Sequence, residues 1–177
     1  ELGLPEDTFI FCAINNTYKI TSEEFDIWMR LLHEVPDSVL WLYAANEIAR
    51  ENLIKQAGNR GISSDRLVFT KLVAFNNYIN QLAHADLYLD TFNYNAGATA
   101  SNVLWAGVPL ITKAGAGYTS RMASSLLQSI GMPELITSTS EDYENLALTL
   151  AKNPKKLSDV RLLLTLKRIN SELFDVG

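Results

Sequence analysis

The sequence predicts an α/β protein with a Rossmann-like parallel sheet that is covered by helices on both faces. Short apolar runs, typical of strands buried on both sides, alternate with segments whose apolar residues recur at helical spacing. No repeat, low-complexity segment or Pro/Gly/Ser-rich linker interrupts the alternation. The chain has 177 residues, of which 47% are hydrophobic, and this is enough to build one core. We therefore expect a single domain over residues 1–177.

Six short apolar runs are the predicted strands. In chain order they cover residues 9–13, 38–43, 66–69, 87–89, 109–112 and 134–136. Helical segments fall between and after them. They cover residues 21–34, about 48–57 with a closing glycine at position 61, 78–84, two segments that begin at Thr99 and Ser120, and two helices that run to about Asn170. This alternation implies right-handed crossovers and a parallel sheet.

The helix at 21–34 carries the clearest start signal. Thr21 and Glu24 have the Ser/Thr-x-x-Glu spacing of a capping box. Phe25, Trp28 and Leu32 follow at helical spacing, so one face of this helix is expected to pack on the sheet.

Charge and cysteine content limit the possible partners. The formal charge of −5 argues against general binding to nucleic acid or an anionic membrane, which requires concentrated Lys and Arg. Cys12 is the single cysteine, which suits a reducing compartment such as the cytoplasm, and we expect it to be a buried packing residue rather than a reactive thiol. The sequence has neither a long apolar run nor the pattern of a signal peptide. Because it begins at Glu1 rather than Met, we expect a piece of a longer protein.

The segment 85–112 predicts a phosphate site. In an open parallel sheet, ligands bind beyond the carboxyl ends of the strands. The loop after strand 87–89 begins at Asp90 and continues through Gly97 to Ala98 and Thr99, where a helix starts. The first N–H groups of that helix have no internal partner, and together with the helix dipole they can bind an anion. An ordinary strand–loop–helix junction fits the spacing equally well.

Two other loops reach the same edge of the sheet. After the first strand, Asn15, Asn16 and Lys19 offer two amides for a sugar or base and an ammonium for a phosphate. Turn-forming asparagines and a surface lysine are the alternative interpretation. After the third strand, the apolar segment 70–75 could recognise a flat base through its main chain, although a plain connecting loop explains these residues nearly as well.

A complete catalytic site is not predicted within this chain. His33 and His84 both fall in predicted helices, so we expect them to be packing or surface residues, and neither a Ser/His/Asp triad nor a His/Glu metal cluster can be assembled. The segment 115–120 partly matches a dinucleotide fingerprint, but Ser120 replaces the third glycine and no acidic residue ends the next strand. NAD binding is the weaker alternative. The chain has the pattern of a binding half whose acid–base partner lies elsewhere.

Several blocks of the sequence together resemble one enzyme family. They are NNTYKIT, DIWMRLLHEVPDSVLWL, RLVF, HADLYLDTFNYNAGATASNVLWAGVPLIT, SRMASSLLQSIGMPELI and EDYENLAL. Their order and spacing resemble the C-terminal region of the O-linked N-acetylglucosamine (O-GlcNAc) transferase family, including its bacterial members. The resemblance implies half of a GT-B glycosyltransferase, in which two Rossmann-like domains face each other and the C-terminal one binds the nucleotide-sugar.

The resemblance assigns roles to particular residues. Asn16 takes the place of a family glutamine near the phosphates, and Lys19 matches the lysine that neutralises the diphosphate leaving group. Tyr43 falls where an apolar residue lines the nucleotide pocket. Val73 and Ala74 correspond to the backbone that recognises uracil.

The resemblance is less complete at the phosphate-binding helix. Gly97-Ala98-Thr99 replaces a His-Thr-Thr or Gly-Thr-Thr run, so one hydroxyl is missing at Ala98. Asn102 stands where the family usually has an aspartate that contacts the ribose, and an amide cannot make the same charge-assisted hydrogen bond. Asn93 replaces a proline, which should loosen the loop.

The implied activity is inverting, metal-independent transfer of GlcNAc or a related sugar from a UDP-sugar to a protein Ser or Thr hydroxyl. Neither a metal nor a cofactor is expected beyond the UDP-sugar co-substrate. The implied partners are the protein acceptor and two preceding regions of the same protein, a tetratricopeptide-repeat region and an N-terminal catalytic domain. The isolated domain is therefore expected to be inactive. Because Ala98 and Asn102 depart from the pattern, a degenerate scaffold domain without catalysis is the alternative.

Overall fold

The computed structural model describes residues 3–70 and 75–174, and within them six parallel strands form one sheet. The strands are β1 (Phe9–Ala13), β2 (Ser38–Tyr43), β3 (Leu67–Thr70), β4 (Leu87–Leu89), β5 (Leu110–Lys113) and β6 (Ile136–Thr137). The helices are α1 (Ser22–Glu34), α2 (Glu47–Gly58), α3 (Phe75–Leu82), α4 (Ala98–Trp105), α5 (Met122–Ser129), α6 (Ser140–Ala151) and α7 (Pro154–Ile169). The predicted Rossmann-like fold is confirmed.

The strand order β3-β2-β1-β4-β5-β6 determines where a ligand can bind. The chain runs outward from β1 to β3 and then returns to β4, which pairs with β1 on its other side. The loops that follow β1 and β4 therefore diverge to opposite faces of the sheet and leave a crevice between them, at the topological switch point.

The central strands are buried on both faces. Phe11, Leu40, Trp41, Leu87 and Tyr88 have at most 1% of their surface exposed, although their side chains alternate between the two faces. This explains why the strands are continuous apolar runs rather than alternating ones.

Local signals explain most element boundaries. The capping box at α1 is present, and the Glu24 carboxylate accepts a hydrogen bond from the Thr21 N–H at 2.8 Å. The predicted strand at 134–136 is displaced, because Pro133–Leu135 forms a 3-10 turn and β6 begins only at Ile136. Proline fixes φ near the value of such a turn and has no N–H to donate to a ladder.

Two predicted boundaries on the other half of the sheet also move. Arg66 belongs to a 3-10 turn before β3, where its guanidinium donates to the main-chain carbonyls of Leu32 and Val35 at 3.0 Å. His84 lies in the turn after α3 rather than in the helix. In the described part of the chain, no helix has the length and apolarity that crossing a membrane requires.

A buried hydrogen-bond relay connects α1, α6 and the end of β4. The Tyr143 hydroxyl donates to the Asp90 main-chain carbonyl at 3.1 Å and accepts from the Trp28 indole N–H at 3.4 Å. Tyr143→Phe leaves both of these buried groups without a partner, so we expect it to lower the free energy of unfolding by about 1–3 kcal/mol in urea titrations. Tyr118 is 78% exposed and is the matched control, for which Tyr118→Phe should leave the unfolding midpoint unchanged.

Candidate functional site

Lys19 extends across the crevice at the switch point. Beyond β1 the chain forms a short 3-10 turn, Thr17–Lys19, which brings the Lys19 ammonium to the loop after β4. The Nζ atom donates to the Asn95 main-chain carbonyl at 3.2 Å and lies 4.0 Å from the centre of the Tyr94 ring. Burial lowers the pKa of Lys19, and the nearby Asp90 carboxylate opposes this by raising it. One side chain therefore joins the two loops that border the crevice.

The Asp90 carboxylate holds the loop after β4 against the sheet. One oxygen accepts the N–H of Ala96 at 2.7 Å, and the other accepts the hydroxyl of Thr112, on β5, at 2.7 Å. Asp90 is fully buried, and burial raises its pKa to about 7, against the opposing effects of these hydrogen bonds and of Lys19. A carboxylate is thus enclosed directly beneath the loop that holds Lys19.

Asn95 connects the same loop to its neighbours. Its side-chain amide donates to the Thr91 main-chain carbonyl at 2.6 Å, and its side-chain oxygen accepts the N–H of Ala123, at the start of α5, at 3.3 Å. The Asn15 amide donates to the Thr91 hydroxyl at 3.2 Å from the β1 side. The Asn93 carbonyl, at the position where the resemblance leads us to expect a proline, accepts a hydrogen bond from Thr119 at 3.0 Å.

Helix α4 begins beside this loop with no side chain capping it. Gly97 precedes the helix, and in the described structure the first N–H groups of α4 receive no side-chain cap. Gly97 also allows a close approach, because a Cβ atom there would lie 2.9 Å from the Met122 Cε. The exposed Ala98 and the half-exposed Asn102 are four residues apart and share one face of α4, and the Thr99 hydroxyl is hydrogen-bonded to Tyr78.

The other predicted site residues lie further out. Asn16 is exposed at the start of the 3-10 turn, and Tyr43 is half-buried at the carboxyl end of β2, where it packs against the core. Val73 and Ala74 lie outside the described residues. The structure thus brings Lys19 together with the loop that leads to α4, and it places Tyr43 one strand away.

This arrangement presents an ammonium group and a helix start, which has no side-chain cap within the described residues, at one crevice. Both recognise a phosphate or diphosphate, the ammonium as a charge and the N–H groups as donors oriented by the helix dipole.

Comparison with known proteins identifies the family. The model of glycosyl transferase family 41 matches residues 1–177. The chain belongs to glycosyl transferase family 41. It is 34% identical over 173 residues to a UDP-N-acetylglucosamine–peptide N-acetylglucosaminyltransferase of Caenorhabditis elegans. The aligned region covers 98% of this chain and 15% of that relative. It is 35% identical over 176 residues to the probable UDP-N-acetylglucosamine–peptide N-acetylglucosaminyltransferase SEC of Arabidopsis thaliana, covering 99% of this chain and 18% of that protein.

A solved structure agrees with this assignment. A mutant of the Thermobaculum terrenum O-GlcNAc transferase superimposes with a TM-score of 0.85 at 28% identity, covering 93% of this chain and 34% of that one. The predicted resemblance and the predicted GT-B half-fold are therefore confirmed. The chain spans less than a fifth of the length of the two curated transferases.

In this family 41 domain, neither histidine lies at the crevice. His33 is exposed at the end of α1 and hydrogen-bonds the Arg60 carbonyl at 2.8 Å. His84 is exposed near Phe9 and Asp86, at the amino edge of the sheet, which is the edge opposite the crevice. Both agree with the expectation of surface residues. Cys12 is buried, as predicted, and burial raises its pKa to about 12.

Across residues 3–70 and 75–174, no group of three or more His, Cys, Asp or Glu side chains is placed to hold a metal ion.

The glycine-rich loop after β5 is closed by its own hydrogen bonds. The Gly115 N–H donates to the Ser120 carbonyl at 2.8 Å, and the Gly117 N–H donates to the Ser120 hydroxyl at 3.1 Å. Those N–H groups would be needed to bind a dinucleotide.

Sequence reasoning gave no role to four residues that shape the site. Tyr94 and Asn95 hold Lys19, Asp90 anchors their loop, and Tyr78 reaches the start of α4. A carboxylate at the end of an apolar strand was the available signal for Asp90. The sequence had no signal for Tyr78, because α3 and α4 are brought together only by the fold.

Proposed function

We propose that this family 41 domain is the donor-binding half of a glycosyltransferase and binds the diphosphate of a UDP-sugar between Lys19 and the start of α4. The observation that carries the proposal is the Lys19 ammonium, held 3.2 Å from the Asn95 carbonyl beside an uncapped helix at the switch point. The relatives named as UDP-N-acetylglucosamine–peptide N-acetylglucosaminyltransferases support GlcNAc, or a related sugar, as the group transferred.

The proposed mechanism is electrostatic on this side of the reaction. As the sugar leaves its diphosphate and its anomeric carbon inverts, negative charge grows on the leaving oxygens. Lys19 and the N–H groups of Ala98 and Thr99 would stabilise that charge, and because they are already fixed by the fold they need little reorganisation. We propose that no metal is required. The group that accepts the proton of the acceptor hydroxyl would come from outside this chain.

The remaining predicted residues surround this centre in the proposal. Asn16 would donate to a phosphate, Asn102 would contact the ribose, and Tyr43 would line the nucleotide pocket. The main chain at Val73 and Ala74 would recognise the uracil. These assignments rest on the family resemblance.

Calorimetry with UDP tests the proposal. We expect the chain to bind UDP weakly, with a Kd in the micromolar to millimolar range, because half of the enzyme cleft is supplied from elsewhere. NADH is the comparison ligand and should give no heat of binding. An absence of UDP binding would contradict the proposal.

Ala98→Thr is expected to tighten UDP binding, because it restores a hydroxyl at the exposed start of α4. We expect a gain of roughly threefold to tenfold, which corresponds to the net contribution of an ordinary hydrogen bond, about 0.5–1.5 kcal/mol. Ala98→Val has the same shape without the hydroxyl and is the matched control. Equal affinities of the Thr and Val variants in calorimetry would show that the hydroxyl makes no contact with the ligand.

The activity of the whole protein is also part of the proposal. We propose that a tetratricopeptide-repeat region and an N-terminal catalytic domain complete the enzyme and that its acceptor is a Ser or Thr of a protein. The 177-residue chain alone should therefore bind UDP without transferring sugar. The single, buried Cys12 fits a reducing compartment, and a cytoplasmic location stays a prediction.

A scaffold without catalysis is the second candidate, and the missing side-chain groups at Ala98 and Asn102 favour it. Mass spectrometry distinguishes the two after the full-length protein is incubated with UDP-GlcNAc and candidate acceptors. A mass increase of one N-acetylhexosamine supports the enzyme. Retained UDP binding without any product supports the scaffold.

A further inference from the structure

Asp90 is a buried carboxylate that forms no ion pair within the described residues, in a site proposed to bind an anion. Its side chain is completely buried, and its hydrogen-bond partners are the Ala96 N–H, the Thr112 hydroxyl and the Thr91 N–H, which are all uncharged. A buried carboxylate is costly unless a counter-charge compensates it. In the described structure, the charge of Lys19 provides compensation, because it favours the ionised form of Asp90.

Lys19 and Asp90 stabilise each other at a distance. The Lys19 ammonium is bound to the Asn95 carbonyl, and Asp90 anchors the same loop through the next residue, Ala96. The charge of Asp90 favours the protonated form of Lys19, as the charge of Lys19 favours the ionised form of Asp90. A ligand that draws the Lys19 ammonium toward itself therefore removes part of the compensation of Asp90.

Two phenols near Asp90 are neutral near pH 7. From β4 and α6, Tyr88 and Tyr143 contribute phenols whose pKa values are raised well above 10 by burial. The charge of Glu24, on α1, also raises the pKa of Tyr143. The Lys113 ammonium, which follows Thr112 in the chain, forms an ion pair with the Glu23 carboxylate at 2.9 Å. Of Asp90, Tyr88 and Tyr143, it is Asp90 whose pKa, at about 7, lies in the physiological range.

We infer that Asp90 is a positioning residue of the diphosphate site, which fixes the loop that holds Lys19 and takes up a proton from water when an anionic diphosphate binds. This inference rests on the proposed function. The diphosphate adds negative charge beside the buried carboxylate and attracts Lys19, and both effects favour neutral Asp90. The added proton resides on an Asp90 carboxyl oxygen, where it can be donated to the Thr112 hydroxyl while the Ala96 N–H bond to the other oxygen is kept.

The direction of the pH dependence follows from this coupling. Because the bound state holds more protons than the free state, binding becomes weaker as the pH rises above about 7. Asp90→Asn retains acceptor and donor atoms for Ala96 and Thr112 but cannot ionise. The variant should lose this pH dependence. At pH 8 it should bind UDP roughly fivefold more tightly than the wild type, because it lacks the carboxylate that repels the diphosphate.

The experiment is calorimetry of UDP binding between pH 6.5 and 8.5, in pairs of buffers that differ in ionisation enthalpy. The protons taken up when UDP binds to Asp90→Asn are those taken up by UDP itself. Any additional protons taken up when UDP binds to the wild type are those taken up by Asp90. Asp86→Asn is the matched control, since Asp86 also accepts a main-chain N–H, from Ile10 at 2.8 Å, but lies at the amino end of β4. It should behave like the wild type.

A second variant keeps the test decisive if Asp90→Asn folds poorly in thermal melts. Thr112→Val retains the carboxylate and removes one hydrogen bond to its ionised form, so the midpoint of the pH profile should move upward. A purely structural role would change the affinity at every pH without moving the midpoint. UDP binding with equal proton uptake in wild type and Asp90→Asn would overturn the inference and leave the proposed function intact, whereas no UDP binding by the wild type would overturn both.

Discussion

Lys19→Ala is expected to weaken UDP binding by about 10- to 100-fold in calorimetry, the range for the loss of a hydrogen bond between charged groups. The ammonium is already fixed across the crevice by the Asn95 carbonyl and the Tyr94 ring, so little entropy is lost when it meets the diphosphate. The fold should be retained, because the side chain is half-exposed and makes no ion pair in the described structure.

Lys113 provides a matched control for that loss. Its ammonium also lies 4.0 Å from the centre of an aromatic ring, that of Phe92, at the same edge of the sheet. However, it is bound to the Glu23 carboxylate at 2.9 Å and the Ser140 hydroxyl at 3.0 Å. Lys113→Ala should therefore leave the UDP affinity within about twofold. Equal losses in the two variants would indicate a general effect of positive charge and not a specific contact by Lys19.

Asp90→Asn is expected to stabilise the protein at pH 8 and to have little effect at pH 4. Burial raises the pKa of Asp90 from 3.8 to about 7, so the folded state binds the proton more tightly than the unfolded state does. That contribution to stability is complete below pH 4 and is lost as the pH rises through 7. The full loss corresponds to about 4 kcal/mol, which is the upper limit of the gain expected for the variant.

Urea titrations at several pH values measure this difference. The free energy of unfolding of Asp90→Asn minus that of the wild type should increase from pH 4 to about pH 7 and then level off. The difference between variant and wild type is needed because other carboxylates make the stability change with pH in the opposite direction. Glu23 is an example, since hydrogen bonds from Ser140 and Lys113 lower its pKa. A difference that does not vary with pH would show that the pKa of Asp90 is the same in the folded and unfolded states.

The sequence predicted the fold well because its signals are local. Continuous apolar runs located β1, β2 and β4, and the capping box located the start of α1. The errors occurred where local propensity was ambiguous. Glu134 lies in the 3-10 turn that Pro133 begins, and the strand that follows has only two residues, Ile136–Thr137.

The sequence predicted only part of the candidate site, because it does not show which of several similar polar residues are buried and which face the crevice. Asn15 and Asn16 are adjacent and chemically identical, yet Asn15 is buried and bound to Thr91, while Asn16 is exposed. The strand pleat and the turn that follows decide which of the two faces the crevice. Likewise, Thr99 was expected to face a phosphate, but its hydroxyl is also hydrogen-bonded to Tyr78 from α3.

The sequence by itself determined the parallel α/β architecture, the family and the position of the loop after β4, since each depends on residue order and short-range pattern. Only the tertiary structure decided how the loop is held. The strand order places β1 beside β4, and this brings Lys19 to Asn95, 76 positions away. It also encloses Asp90 beneath that contact, where burial rather than any neighbouring residue in the sequence raises its pKa. Contacts between distant segments depend on packing, and the linear pattern of a chain does not contain them.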